Sequence, residues 1–338
     1  MAEKEIDITS GQVNDLTPQP GNPTQDKPEV LASNQFSAVR SDLSARAEGK
    51  SASDLLDEII HTNESELIPW EEVTLPSKGL WYHNQIPGGL VKVRAMGAFA
   101  DKILATARLA QTGQSIDYLL EHCVQLPNEY KGSDLLAGDR IFLLYVLRGI
   151  THGNMYEFML TCPQCEAVNT YTYDLNELSS TITPGNPGLG DEPFKVVLPY
   201  LSEITGREVF VRVRLLRGTD VSNLARRQRF KKKVSPASPR SGTQRQVQAT
   251  VDDSLTENLN LIVVDWMGEV RDPAKIKALI EKLHSSDLAA IREFLKGNSP
   301  GIDTMINVTC PGCSTEFKTE LPITENFFRP TQRRGIRP

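Results

Sequence analysis

Thr161-Cys-Pro-Gln-Cys-Glu-Ala167 and Thr309-Cys-Pro-Gly-Cys-Ser-Thr315 repeat one motif, in which two residues separate a pair of cysteines. Strand-forming residues flank both copies, which predicts that each motif is a tight turn between two antiparallel strands. The proline after the first cysteine suits such a turn, and Gly312 can take a positive φ without steric cost. Neither unit is expected to fold alone, because an isolated two-stranded hairpin is only marginally stable in water.

The repeat is interpreted as one metal site made from two halves. A tetrahedral metal ion takes four ligands, whereas a single turn can direct only two thiolates at one point. We therefore predict that the two turns meet and hold one structural Zn²⁺ ion through four cysteines, Cys162, Cys165, Cys310 and Cys313. A site closed by four thiolates leaves no position for water or substrate, so it is not expected to be catalytic.

Two other interpretations of the cysteines remain open from the sequence. A redox CxxC motif usually lies at the N-terminus of a helix beside a thioredoxin-like βαβ pattern, whereas both motifs here lie between predicted strands. Alternatively, the two pairs are unmetallated and simply buried, because free cysteine often behaves as a small core residue. The repeated spacing favours zinc over both interpretations.

The composition indicates a folded, soluble chain without a disulfide framework. Of its 338 residues, 39% are apolar, enough to bury one large core or two modest ones. No apolar run approaches the roughly 18 to 20 residues that cross a bilayer, and the first residues lack the basic and apolar parts of a signal peptide. We expect no membrane partner and a cytosolic site of synthesis, where the glutathione pool keeps the five cysteines reduced.

Residues 1–66 are predicted to be a disordered acidic arm. They contain thirteen acidic and five basic residues, a balance of −8 within a total charge of −6, and Phe36 is their one aromatic residue. Such a segment buries too little apolar surface to offset the ordering of the chain. Within the arm, residues 53–61 combine a capping serine with apolar residues at helical spacing. This pattern is typical of either a short docking helix for a partner or a transient turn.

The rest of the chain is predicted to have an α+β fold. An N-terminal β-hairpin with a three-helix cluster comes first, and a zinc ribbon split by an α+β insert follows. The apolar segment Ile141–Leu147 marks the buried centre of the helical cluster. The predicted boundaries are 67–153 for the hairpin and helices, 154–178 plus 303–322 for the ribbon, 190–302 for the insert, 231–250 for a polar, mobile loop within the insert, and 323–338 for a basic C-terminal tail.

The other residues that could act in catalysis or metal binding do not occur at the spacing of a known motif. Cys123 lies on the apolar stripe of a predicted helix and is expected in the core, while His122 and His152 are expected at the surface or in loops. The sequence contains no Gly-rich phosphate loop, no HExxH motif and no GxSxG motif, so neither enzyme activity nor a small-molecule substrate is expected. The neighbouring pair Asp139-Arg140 is compatible with an ion pair at a helix start.

The densest basic run covers residues 226–233, Arg-Arg-Gln-Arg-Phe-Lys-Lys-Lys. A run of this kind can bind nucleic-acid phosphates or an acidic protein surface, or simply remain solvated. A stacking platform for bases needs interleaved aromatic residues, and Phe230 is the one such residue in the run. Protein contacts are therefore favoured over nucleic acid, and a nucleic-acid-binding zinc-ribbon protein is kept as the alternative function.

Several motifs stand out together along the chain: Leu75-Pro-Ser-Lys-Gly-Leu-Trp-Tyr82, Val91-Lys-Val-Arg94, Asp134-Leu-Leu-Ala-Gly-Asp-Arg140, Leu143-Leu-Tyr-Val-Leu-Arg148 and Cys162-Pro-Gln-Cys165. In combination they resemble the T4-type baseplate protein family of contractile-tailed bacteriophages. The resemblance covers residues 74–178 well and the rest of the folded chain loosely. It does not cover the acidic arm or the loop 231–250.

The resemblance implies a structural or assembly role in the phage tail baseplate, at or near its central hub. It implies no enzyme activity. The partners would be other baseplate and tail-tube proteins, and the protein would reside in the virion after synthesis in the host cytoplasm. A third possibility is an assembly chaperone that is absent from the finished particle.

Overall fold

The computed structural model describes residues 49–112, 114–127, 130–224, 254–323 and 325–328. Helices and strands are mixed throughout these ranges, and the predicted α+β class is confirmed. Four predicted features lie largely or wholly outside the described residues, namely the arm up to residue 48, the basic run 226–233, the loop 231–250 and the tail from residue 329.

An exposed helix, α1 (Ala52–His61), begins close to the start of the described chain and coincides with the predicted helix 53–61. Ser51 caps it, and not Ser53 as the sequence predicts, because the side chain of Ser51 accepts a hydrogen bond from the N–H of Asp54 at 3.2 Å. None of the residues of α1 is buried. The short helix α2 (Glu64–Leu67) follows after a link of two residues. The helix is therefore present, and its docking role stays a prediction.

A three-stranded antiparallel sheet and a group of helices come next. The strands are β1 (Trp70–Thr74), β2 (Leu90–Arg94) and β3 (Val124–Gln125), with β2 in the middle. The helices are α3 (Ala98–Ala105), α4 (Ala107–Thr112), α5 (Ser115–Cys123) and α6 (Ala137–His152). This region therefore contains four helices where three were predicted. The first predicted helix is split into α3 and α4, because the backbone is extended at Thr106.

Helix α6 lies at the centre of the core. Its residues 142–149 are all buried, as the apolar segment Ile141–Leu147 predicts. Tyr145 of α6 donates a hydrogen bond to the carbonyl of Leu321 at 3.1 Å, and its ring packs edge-on against Phe327 with centroids 5.0 Å apart. The central helix therefore holds the chain that leaves the second cysteine hairpin.

The two cysteine hairpins come from distant parts of the chain. The first consists of β4 (Met155–Thr161) and β5 (Val168–Asp174), and the second of β11 (Met305–Thr309) and β12 (Glu316–Glu320). Between them lie the strands β6 (Ile182–Thr183), β7 (Phe194–Val197), β8 (Phe210–Val213), β9 (Val263–Trp266) and β10 (Gly301–Ile302). The helices of this insert are α7 (Pro199–Thr205), α8 (218–224), α9 (Ser254–Ile262), α10 (Pro273–Ile280) and α11 (Ser285–Asn298), and α12 (Glu325–Phe328) follows the second hairpin.

Short contacts hold the two ends of the insert side by side. Strands β6 and β10 pair antiparallel, with Thr183 opposite Gly301. The hydroxyl of Tyr156 on β4 donates to the carbonyl of Pro322, just after β12, at 2.8 Å. Strands β7, β8 and β9 form a separate sheet with β8 in the middle. The backbone therefore places the two hairpins beside each other.

The start of α6 also holds the LPSKG segment. Asp139 is fully buried and accepts hydrogen bonds from the N–H of Ser77 at 2.9 Å and from the hydroxyl of Tyr82 at 2.8 Å. The same hydroxyl accepts a hydrogen bond from the N–H of Leu136 at 2.8 Å. Burial raises the pKa of Asp139 and outweighs the hydrogen bonds from Ser77 and Tyr82, which lower it. The LPSKG segment and the start of α6, which are far apart in the sequence, are thus in direct contact in the structure.

Arg140 makes a different contact from its neighbour. Its guanidinium lies 2.5 Å from the carboxylate of Asp117 on α5. The side chain passes Gly218, where a Cβ atom would lie 2.1 Å from the guanidinium. The ion pair at the start of α6 therefore joins Arg140 to α5 and does not involve Asp139.

Gly138 allows α6 to touch the chain that precedes the second hairpin. A Cβ atom at this position would lie 1.8 Å from the carbonyl oxygen of Pro300 and 2.9 Å from the Cα of Gly301. Both atoms belong to the backbone, so the clash cannot be relieved by a side-chain rotation. The close approach therefore requires glycine.

We predict that Gly138→Ala destabilises the fold by about 2 kcal/mol or more, because the added methyl group forces α6 away from Pro300. Gly297→Ala in α11 is the matched control, since no atom lies within 4 Å of its Cβ position. Helix propensity makes this control neutral or slightly stabilising. Urea unfolding followed by circular dichroism compares the two variants, and equal stability would contradict the contact.

Candidate metal centre

The two cysteine turns have the same backbone structure. In the first turn, the N–H of Cys162 donates to the carbonyl of Ala167 at 2.9 Å, and the N–H of Glu166 donates to the carbonyl of Cys162 at 3.0 Å. The second turn repeats both bonds around Cys310, at 2.9 and 2.8 Å. The repeat in the sequence is therefore also a repeat in three dimensions.

Gly312, which can take a positive φ, does not do so in the structure. The residue that takes the left-handed conformation is the one after the second cysteine of each pair, Glu166 with φ 58° and Ser314 with φ 57°. Gly312 is not among the residues with positive φ, and a Cβ atom there would make an ordinary contact, 3.8 Å from the sulfur of Cys310. Gln164 occupies the equivalent position in the first turn, so this position accepts a side chain.

The four predicted sulfur atoms converge on one point. All four lie within 4.8 Å of one another. The sulfur atoms are 3.6 Å apart between Cys162 and Cys313 and 3.7 Å apart between Cys165 and Cys310. A tetrahedral site with metal–sulfur bonds of about 2.3 Å places its sulfur atoms about 3.8 Å apart. The arrangement therefore fits a zinc-sized ion, and these four residues can hold it.

The arrangement of the thiols also bears on the two competing interpretations. The separations of 3.6 and 3.7 Å both join sulfurs of different hairpins, whereas a redox CxxC brings the two sulfurs of one motif together. All four cysteines are free thiols. Cys165 and Cys313 are exposed, which does not suit two simply buried pairs. A shared metal ion accounts for both observations.

Polar groups beside the sulfurs can orient them. The N–H of Gln164 lies 3.4 Å from the sulfur of Cys162, and the side-chain amide of Asn169 donates to the sulfur of Cys310 at 3.4 Å. Asn169 belongs to the first hairpin and Cys310 to the second, so this bond crosses between them. Sequence reasoning missed Asn169, because its distance along the chain from Cys310 gives no local signal.

Hydrogen bonds and neighbouring sulfurs shift the pKa values of the thiols in opposite directions. Thr315, through its hydroxyl and its N–H, lowers the pKa of Cys313 to about 6. The N–H of Cys313 lowers the pKa of Cys310. The N–H of Ala167 lowers the pKa of Cys165, but the neighbouring sulfurs, that of Cys313 first, outweigh it and raise the value to about 12. A divalent cation would supply the positive charge that lets all four thiols ionise together.

The other candidate residues do not join the cluster. Cys123 is fully buried in the core, as expected, and burial raises the pKa of its thiol to about 12. His122 is partly buried, and its ring lies 3.1 Å from the guanidinium of Arg94. His152 is exposed at the end of α6, with Nε2 2.9 Å from the carbonyl oxygen of Phe328. Over the described ranges, the four cysteines are the one group of His, Cys, Asp and Glu residues positioned to hold a metal ion.

None of the helices in the described part of the chain is both long enough and apolar enough to cross a bilayer.

A family model described as T4 bacteriophage base plate protein matches residues 72–204. The matched range contains the LPSKG segment, the buried Asp139 and the first cysteine turn, whereas the second cysteine turn lies beyond it. No curated protein and no solved structure matches the chain significantly. The resemblance seen in the sequence is thus confirmed over this range, and residues 72–204 of the chain are similar to the T4-type bacteriophage baseplate protein family.

Proposed function

We propose that this protein is a structural component of the hub region of a contractile phage tail baseplate, and that one zinc ion closes its fold. The family match over residues 72–204 is the observation that carries the baseplate role. The convergence of Cys162, Cys165, Cys310 and Cys313 carries the zinc site.

The ligand set favours zinc over other common metals. Thiolates are soft ligands, and a tetrahedral set of four sulfurs is typical of zinc and of iron–sulfur sites. Magnesium and calcium prefer oxygen ligands, which this cluster does not offer. The repeated CxxC turns, each contributing one buried and one exposed cysteine, match a zinc ribbon assembled from two hairpins.

Such an ion would connect parts of the chain that the sequence keeps far apart. Between Cys165 and Cys310 lie 144 residues, and these include the whole insert. Structural zinc sites contribute roughly 10 to 16 kcal/mol of apparent binding free energy, compared with about 5 to 15 kcal/mol of net stability for a typical domain. A single ion is therefore strong enough to decide whether the two hairpins stay together.

A structural role suits the chemistry of the site. Four thiolates complete a tetrahedral coordination shell, so no position is left for a substrate or an activated water molecule. Proteins that assemble large complexes need rigid surfaces, and a closed metal site makes a rigid junction between hairpins. The proposed partners are accordingly other baseplate and tail-tube proteins, and the proposed location is the tail of the virion.

We predict about one zinc ion per chain in protein purified under reducing conditions, because four converging thiolates bind zinc tightly. Cys313→Ser removes one exposed ligand and is expected to lower both the zinc content and the thermal midpoint. Elemental analysis measures the metal, and it also distinguishes zinc from iron.

Cys123→Ala is the matched control, since it removes a cysteine that is buried in the core and lies outside the cluster. This variant is expected to keep its full zinc content. Less than about half a zinc ion per chain in the wild-type protein, or an unchanged zinc content in Cys313→Ser, would contradict the proposed site.

Mass spectrometry of purified virions and of isolated tails tests the proposed baseplate role. Peptides of this chain are expected in the tail fraction in a fixed ratio to other baseplate proteins, because a structural component remains in the particle. Detection in infected cells but not in virions would identify an assembly factor instead. Salt-dependent binding of nonspecific duplex DNA, lost when residues 226–233 are neutralised, would favour the nucleic-acid alternative.

A further inference from the structure

Asn169 reaches from the first cysteine hairpin to a sulfur atom of the second. It is the second residue of β5, and its side-chain amide donates to the sulfur of Cys310 at 3.4 Å. The two residues are 141 positions apart in the sequence. This hydrogen bond therefore ties the orientation of one hairpin to a candidate metal ligand that the other hairpin supplies.

A second hydrogen bond fixes the direction in which the amide of Asn169 faces. The same nitrogen atom donates to the carbonyl oxygen of Ala167 at 3.3 Å. A carbonyl oxygen can only accept a hydrogen bond, so the nitrogen of the amide, and not its oxygen, must lie on this side. The amide carries two N–H groups, which serve Ala167 and Cys310.

The two hairpins are not equivalent at this position. The repeat aligns Cys162 with Cys310, which places Phe317 of β12 where the first hairpin has Asn169. A phenylalanine side chain has no hydrogen-bond donor, so no matching bond runs from this position back to the first hairpin. The contact is therefore an addition to the repeated turn and not a requirement of the CxxC spacing.

Cys310 depends on such a donor more than the exposed cysteines do. It is 1% exposed, whereas Cys165 and Cys313 are exposed to solvent. A thiolate that binds a metal ion keeps part of its negative charge, and a buried charge is costly unless hydrogen bonds replace the lost water. The N–H of Cys313 donates within the same turn, and Asn169 adds a donor from the other hairpin.

We propose that Asn169 is a positioning residue of the metal centre, whose amide orients the sulfur of Cys310 and thereby tightens zinc binding. This role rests on the proposed zinc site and adds to it a side chain that does not bind the metal itself. Hydrogen-bond partners of metal ligands typically change the metal affinity about 10- to 100-fold. Because this bond crosses between the hairpins, it also restrains how the two halves of the site meet.

Competition with a chromophoric zinc chelator, applied to the full chain, measures the effect. Asn169→Leu keeps a side chain of similar size without the donor, and it is expected to weaken zinc binding about tenfold. Asn169→Asp keeps the shape but turns a carboxylate oxygen towards the sulfur. Repulsion between like charges is expected to make its loss of affinity larger, up to about 100-fold.

Asn307→Leu is the matched control for these variants. Asn307 is an exposed asparagine in β11 of the second hairpin, opposite Lys318, and its neighbours in the strand, Ile306 and Val308, are the ones that pack against the core. The control is therefore expected to keep the zinc affinity of the wild-type protein.

Cobalt(II) substitution separates a positioning role from a general loss of stability. Cobalt bound to thiolates absorbs light by charge transfer from sulfur to metal, and a hydrogen bond lowers the energy of the sulfur lone pairs. Asn169→Leu is therefore expected to move the charge-transfer band to lower energy, while the d–d bands remain those of a tetrahedral four-sulfur site. A variant that is merely destabilised would bind less cobalt and show an unshifted band.

Two results would overturn the positioning role. One is a zinc affinity of Asn169→Leu equal to that of the wild-type protein and of Asn307→Leu. The other is a reduced affinity with an unshifted charge-transfer band. A wild-type chain that binds neither zinc nor cobalt would instead contradict the metal centre itself, and the role of Asn169 with it.

Discussion

The meeting of four sulfur atoms is the constraint on which the rest of the structure depends. These atoms lie within 4.8 Å of one another although they come from hairpins at opposite ends of a long insert. The whole insert must therefore fold so that its two ends return to one place. Closing a loop of this length costs chain entropy, and a bound metal ion is one of the few local interactions strong enough to offset that cost. The proposed zinc ion thus acts on the overall architecture more than on any single hairpin.

Contacts outside the cysteine turns already hold the two hairpins side by side. Helix α6 holds the end of the second hairpin through the hydrogen bond between Tyr145 and Leu321. The pairing of β6 with β10 fixes the two ends of the insert, and Gly138 allows α6 to approach Pro300 closely. The metal ion would complete a junction that is already aligned, which is the arrangement expected of a rigid part in a large assembly. The family match ends at residue 204, so it includes α6, β6 and the first cysteine turn but not their partners Pro300, β10 and Leu321, nor the second turn.

The features predictable from the sequence were those with a local signal. The CxxC spacing and its strand-forming flanks indicated two hairpins and a shared site, and the apolar run in α6 indicated the centre of the core. The features that could not be predicted depend on contacts between distant residues. Nothing near Asp139 shows that it binds the LPSKG segment, and nothing near Asn169 shows that it donates to the sulfur of Cys310. Gly312 is the reverse case, because the turn places its positive φ at Ser314 and makes no use of the conformational freedom of the glycine.

A protein whose fold is closed by such a junction offers rigid surfaces to neighbouring molecules, which suits the proposed role in a baseplate. X-ray absorption spectroscopy at the zinc edge tests the shared site most directly, since it reports the number and type of atoms bound to the metal. Four sulfur neighbours at about 2.3 Å, with no oxygen or nitrogen among them, are the expected result. Two sulfur neighbours completed by oxygen or nitrogen atoms would contradict it, because the two hairpins would then not share one ion.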